Sequence, residues 1–154
     1  MENETQSIGI KVTGIREVQF SINDSYVGNP ADLKINLSAK FDVDAPNDSI
    51  RVEVGSRFYS EKQQEASLVD FRCVTDFGVS PLKEFEPKQA EENAVTNLPQ
   101  GLLTTLLSIA FSHARAMLAS KTAGTKYSDT LLPIINPTDI INHMFEQLDT
   151  PQNT

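Results

Sequence analysis

The sequence predicts an α+β fold: a four-stranded antiparallel sheet followed by one long and one short α-helix. Three observations predict it. Four stretches before residue 80 alternate apolar and polar side chains with period two, short turn-forming segments separate them, and beyond residue 99 the apolar spacing becomes helical. Strands first and helices afterwards is the order of an α+β domain.

The first run sets Ile8, Ile10, Val12, Val18, Phe20 and Ile22 at even positions, with Gly14 as a kink or bulge between them. In the second, Leu33, Ile35, Leu37, Ala39, Phe41 and Val43 alternate with Lys34, Asn36, Ser38, Lys40 and Asp42, the pattern of a half-buried strand. The third sets Ile50, Val52, Val54 and Phe58 against Arg51, Glu53 and Arg57, and the fourth carries Val69, Phe71, Cys73, Phe77 and Val79 at odd positions. The separators are NDSYVGNP, DAPNDS and SEKQQE. Short connections make consecutive strands antiparallel neighbours, whereas the longer first one has room to cross over.

Residues 80–99, with three prolines and mixed charges, read as a linker holding a helical turn at AEENAV. The long helix starts near Pro99, whose missing N–H costs nothing in a first turn, and runs to about Ser120 before Gly124 breaks it. Asn136 caps a second helix, with Pro137 in its first position and Asp139 facing the positive end of the helix dipole. Ile140, Ile141, Met144, Phe145 and Leu148 form its apolar stripe. A single domain therefore covers 8–148, with flexible ends at 1–7 and 149–154.

The segment LLTTLLSIAFSHARAML, residues 102–118, contains one charged side chain, Arg115. Its apolar residues sweep an arc of roughly 200°, about twice what a single sheet has to cover. The remaining arc holds Thr104, Thr105, Ser108, Ser112, Arg115, Ala116 and Ala119, mostly small side chains that admit a close neighbour. Each large apolar side chain left wet forfeits about 1.5–3 kcal/mol, so the second face calls for cover, and the second helix is short. Self-association through the long helix is the consequence, with Leu103, Leu107, Phe111, Ala114, Arg115 and Leu118 as expected interface residues.

Thirteen basic against twenty-one acidic residues give a formal charge of -8 without any basic cluster. That argues against nucleic acid, whose binding draws on neutralised phosphates, and against anionic membranes. The polar, acidic N-terminus lacks the pattern of a secretory signal, residues 93–114 fall short of a bilayer span, and Cys73 has no disulfide partner, all of which point to the cytoplasm. Phosphate loops, nucleophile elbows and carboxylate–histidine clusters are absent from the sequence, so no enzymatic activity, metal or cofactor is expected. His113 and His143 read as packed or surface histidines, Cys73 as a small buried hydrophobe, and Glu53 and Asp70 as a solvated outer sheet face.

The segments FSHARAML, AGTKY and LLPIINPTDIINHMF, together with GIREVQFSIN near the N-terminus, resemble the corresponding stretches of the SecB family of protein-export chaperones. The resemblance spans roughly residues 8–148 and lies in the order of elements plus the HAR-to-NPTD block. It implies a dimer of dimers, a homotetramer with the long helices sandwiched between two sheets, and an ATP-independent holdase that keeps unfolded or pre-secretory polypeptides export- or folding-competent in apolar grooves. SecA, or an antitoxin in a SecB-like chaperone of a toxin–antitoxin system, is the further partner it implies. Glu17 matches one acidic position of the family's SecA contact, but Ser21 stands where a second carboxylate is expected, and DTPQNT is a short, nearly uncharged tail.

Client-binding candidates are Tyr26 and Val27 in the first loop, Phe85 in the linker, Tyr127, Leu131, Leu132, Ile134 and Ile135 between the helices, and Met144 and Phe145 on the last. Aromatic and methionine side chains adapt to many partners at low specificity. An unpaired sheet edge offers a second route, by strand addition. Two rivals stand beside this reading. A hot-dog thioesterase also wraps a sheet round a long apolar helix, but there the helix comes after the first strand. A non-catalytic oligomeric adaptor would use the helix for assembly alone.

Overall fold

The structure, a computed structural model, describes residues 7–83 and 98–149. Four strands, β1 (Gly9–Ile22), β2 (Lys34–Asp44), β3 (Ser49–Ser60) and β4 (Gln63–Ser80), form one antiparallel sheet in the order β1-β4-β3-β2. Helices α1 (Gln100–Thr122) and α2 (Pro137–Asp149) come after them, so the α+β order holds. The connection after β1 does cross over, carrying the chain to the opposite edge, while the later strands are joined to their neighbours by tight turns. The β3–β4 turn is shorter than the sequence suggests. Both strands continue through the polar SEKQQE stretch, leaving Glu61 and Lys62 at the tip, because the ladder supplies backbone partners whatever the side chains are.

One face of the sheet packs on α1. Register places Phe41, Val52 and Thr75 in one row across β2, β3 and β4, and Ala39, Val54 and Cys73 in the next. Ile50, Val52, Val54, Phe71, Cys73, Phe77 and Val79 are buried there against Leu103, Leu106, Leu107, Ala110, Ala114 and Leu118. At residue 75 the apolar alternation admits a threonine, whose hydroxyl lies 3.0 Å from His113 Nδ1. Burial lowers the His113 pKa from its ordinary value, favouring the neutral ring in the seam. The opposite face is charged: Arg51 Nε donates to Asp76 Oδ1 at 2.8 Å, and Arg16 lies 3.5 Å from Asp76 Oδ2. Glu53 and Asp70 lie on that same outer face.

The uniform even-number pattern of β1 does not survive folding. Register shifts fall between Val12 and Gly14 and again between Glu17 and Gln19. Each bulge adds one residue and exchanges the faces of the residues beyond it, so Ile15 and Glu17 join Ile10 and Val12 on the helix side. Glu17 is opposite Cys73 in the core-facing row, and its carboxylate pairs with Lys121 of α1 at 2.6 Å. Glu17, which the resemblance assigns to a motor contact, is thus paired with a lysine of its own chain.

A second correction concerns the long helix. Leu103, Leu107, Phe111, Ala114 and Leu118, expected at a subunit interface, are buried by this chain's own sheet, because the sheet takes the most apolar arc first. Arg115 is also occupied at home, donating from Nε to Leu132 O at 3.3 Å and from Nη2 to Pro133 O at 3.0 Å. The arc left outward carries Thr105, Ser112 and Ala116, all exposed, flanked by half-buried Ser108, Ile109 and Ala119. Its hydroxyl protons are already used. Thr105, Ser108 and Ser112 each donate to the carbonyl four residues back, on Gly101, Thr104 and Ser108, at 2.9 Å. By length and composition alone α1 could cross a bilayer, but its inner arc belongs to the domain core.

Candidate functional site

The second helix begins where the sequence marks it. Asn136 Oδ1 accepts from Thr138 N at 3.1 Å, satisfying one of the orphan donors of the first turn, and Pro137 opens the helix with its φ already set. Ile141, 1% exposed, anchors α2 to the body, and the helix packs chiefly on α1. It does not close onto β2. A groove of about 570 Å³ remains between the helix and the strand.

Leu37 and Ala39 of β2 form one wall, Ile140 and Met144 of α2 the other, with Phe111 of α1 and Ile135 of the connector also lining it. Ser38, Asp139, His143 and Gln147 supply the polar part of the lining. The volume lies within the roughly 300–1,000 Å³ of typical ligand sites, and an apolar lining with few polar groups is what such sites share. Beside it, β2 is an edge strand, so alternate backbone N–H and C=O groups along Lys34–Asp44 have no strand partner. The chemistry on offer is apolar side-chain capture next to backbone hydrogen bonding.

The sequence-derived candidates divide. Ile135 and Met144 line this groove, and Phe145 is half-buried against the core nearby. Leu131 and Ile134 project outward from the connector, Ile134 93% exposed, and line none of the described cavities. Tyr26 and Val27 line a separate cavity of about 450 Å³ between the β1–β2 crossover and the β3–β4 turn. Phe85 lies outside the described residues.

Tyr127 and Leu132 are corrections. Their place between the helices suggests groove positions, yet Tyr127 is fully buried and Leu132 is 3% exposed. The Tyr127 hydroxyl donates to Asn23 O at 2.5 Å and the Lys126 ammonium donates to Asp24 O and Tyr26 O, so the turn after α1 fastens the crossover loop. Burial, with the charge of Asp24 second, raises the Tyr127 pKa above its usual 10.0.

Leu37, Ala39, Ile140 and the rim residues are not singled out by the sequence. The signal for β2 is present, since a clean alternation names an apolar face, but not how far the helices reach across it. Phe111, expected at a subunit interface, instead lines the groove.

No family model matches the chain, and no curated protein matches it. Among solved structures, the chain is similar to a Mycobacterium tuberculosis SecB-like chaperone in complex with a ChAD peptide from the HigA1 antitoxin. The two share 15% sequence identity at a TM-score of 0.50, over 81% of this chain and 86% of that one. At that identity the likeness is one of architecture: the chain has a SecB-like fold.

Proposed function

We propose that this protein is a non-catalytic, ATP-independent chaperone that holds unfolded polypeptide segments in the groove between β2 and α2. The observation that carries the reading is the apolar groove beside an unpaired strand edge. Side chains of an extended segment enter the groove while its backbone meets the β2 edge, which needs no particular client sequence. The solved neighbour, a SecB-like chaperone bound to an antitoxin peptide, supports a peptide client of that kind. That bound peptide favours an antitoxin over SecA as the dedicated partner.

Self-association completes the reading, with its contact moved to the outer arc of α1. On β1, Ile10, Val12 and Ile15 also face the helix side and remain 40%, 40% and 46% exposed. Small side chains with spent hydroxyls are cheap to dehydrate, so a second copy gains the burial of the β1 isoleucines and valine at little polar cost.

The test is suppression of aggregation of a chemically unfolded client, without nucleotide, by micromolar protein. Suppression near stoichiometric ratio is expected. Unchanged light scattering at several-fold excess of this protein over client would refute the proposal.

A further inference from the structure

Resting on that reading, we infer that Arg115 is a positioning residue for the groove: it sets the place of the α2 wall by gripping the connector in front of it. Residues 130–136 have no regular secondary structure and hence no ladder to hold their carbonyls. Arg115 supplies the missing partners, its guanidinium fork spanning the consecutive carbonyls of Leu132 and Pro133 at 3.3 and 3.0 Å. Directly after the gripped pair come Ile134, Ile135, the Asn136 cap and then α2. Ile135 itself lines the groove.

The β2 wall of the groove is held in place by its unbroken ladder with β3. The width is set by where α2 sits, and α2 is fixed at Ile141 and at the connector that enters it. With the grip removed, Ile141 remains as a pivot, and the first turn of α2 with Ile135 ahead of it is free to swing. This also explains the one charge in residues 102–118. Its head is spent on backbone carbonyls, so it functions as a clamp rather than as a solvating group.

The test compares Arg115→Met, which keeps the aliphatic stem, and Arg115→Lys with the wild-type chain. One readout is titration of a fluorescein-labelled, reduced and carboxymethylated lactalbumin. The other is amide hydrogen exchange without client. Loss of two charge-assisted hydrogen bonds is expected to weaken the labelled client roughly tenfold in Arg115→Met. Amides of 137–149 are expected to exchange faster, while those of the sheet and of 102–118 keep wild-type rates. Arg115→Lys, a single point cation, restores part of both. Wild-type affinity in Arg115→Met, or exchange accelerated evenly along the whole chain, overturns the inference. Should Arg115→Met fail to fold, Arg115→Lys decides: selective loosening of 137–149 supports the clamp and unchanged exchange there refutes it. Exchange needs no client, so a wild-type chain that binds no labelled lactalbumin sinks the chaperone proposal and leaves this inference to be decided by exchange.

Discussion

Raising the pH should weaken the fold through Cys73. The thiol is 1% exposed, lies in the core-facing row of β4 opposite Glu17, and places its Sγ 3.4 Å from the Met117 sulfur. Burial, with the Glu17 carboxylate adding to it, raises its pKa from 9.0 to about 11. An acid held more tightly to its proton in the native state than in the unfolded one costs stability as soon as the unfolded thiol ionises. The loss therefore begins near pH 9 and runs on towards pH 11. At about 1.36 kcal/mol per pH unit it amounts to about 1.4 kcal/mol by pH 10, or about 3 to 6 °C in Tm for a domain of this size. Urea unfolding of the wild type and of Cys73→Ala at pH 7, 8, 9 and 10 isolates the effect. The small cavity in the variant lowers its stability by a fixed amount at every pH, and the raised Tyr127 pKa acts on both proteins alike. The gap between the two stabilities should thus be constant to about pH 8.5 and close by about 1.4 kcal/mol at pH 10. Parallel curves over the whole range would refute the reasoning.

Met144→Glu places a carboxylate in the groove wall while leaving the core intact. Client affinity should fall about tenfold or more with Tm nearly unchanged, as read by fluorescence titration and thermal unfolding. Ala116→Arg puts a long cation on the outer arc of α1, so multi-angle light scattering should show a lower mass than the wild type at equal concentration. Tyr127→Phe deletes the hydroxyl that donates to Asn23 O and leaves that carbonyl short of a partner, and stability should drop by about 1 to 2 kcal/mol in urea unfolding.

How far the sequence reaches depends on whether a side chain's surroundings are set locally. The start of α2 is legible because Asn136, Pro137 and Asp139 act on the turn they belong to. β2 is legible because its alternation is unbroken and its pairing with β3 has no register shift. β1 is legible only in part: Gly14 announces the bulge at Thr13, but the one at Val18 is answered by β4, some fifty residues on, and no glycine or proline marks it. The apolar excess of α1 is visible, but hydrophobicity says how much cover a helix wants and not which side its own sheet will take. Hence Leu103, Leu107 and Phe111 read as a partner's contacts when they belong to the chain's own core. Tyr127 misleads for a related reason: a position between helices reads as surface, whereas its burial comes from the crossover loop folding over it from a hundred residues away.

The order β1-β4-β3-β2 also has a temporal side. On a ribosome the strand made first emerges without a neighbour, and the backbone it pairs with is synthesised only after β2 and β3 have appeared and can close on each other through tight turns. At about 5–20 residues per second the wait lasts on the order of seconds. Throughout that delay Ile10, Val12 and Ile15 are bare, so each newly made copy passes through a stage in which an apolar strand waits without the neighbour that will pair with it.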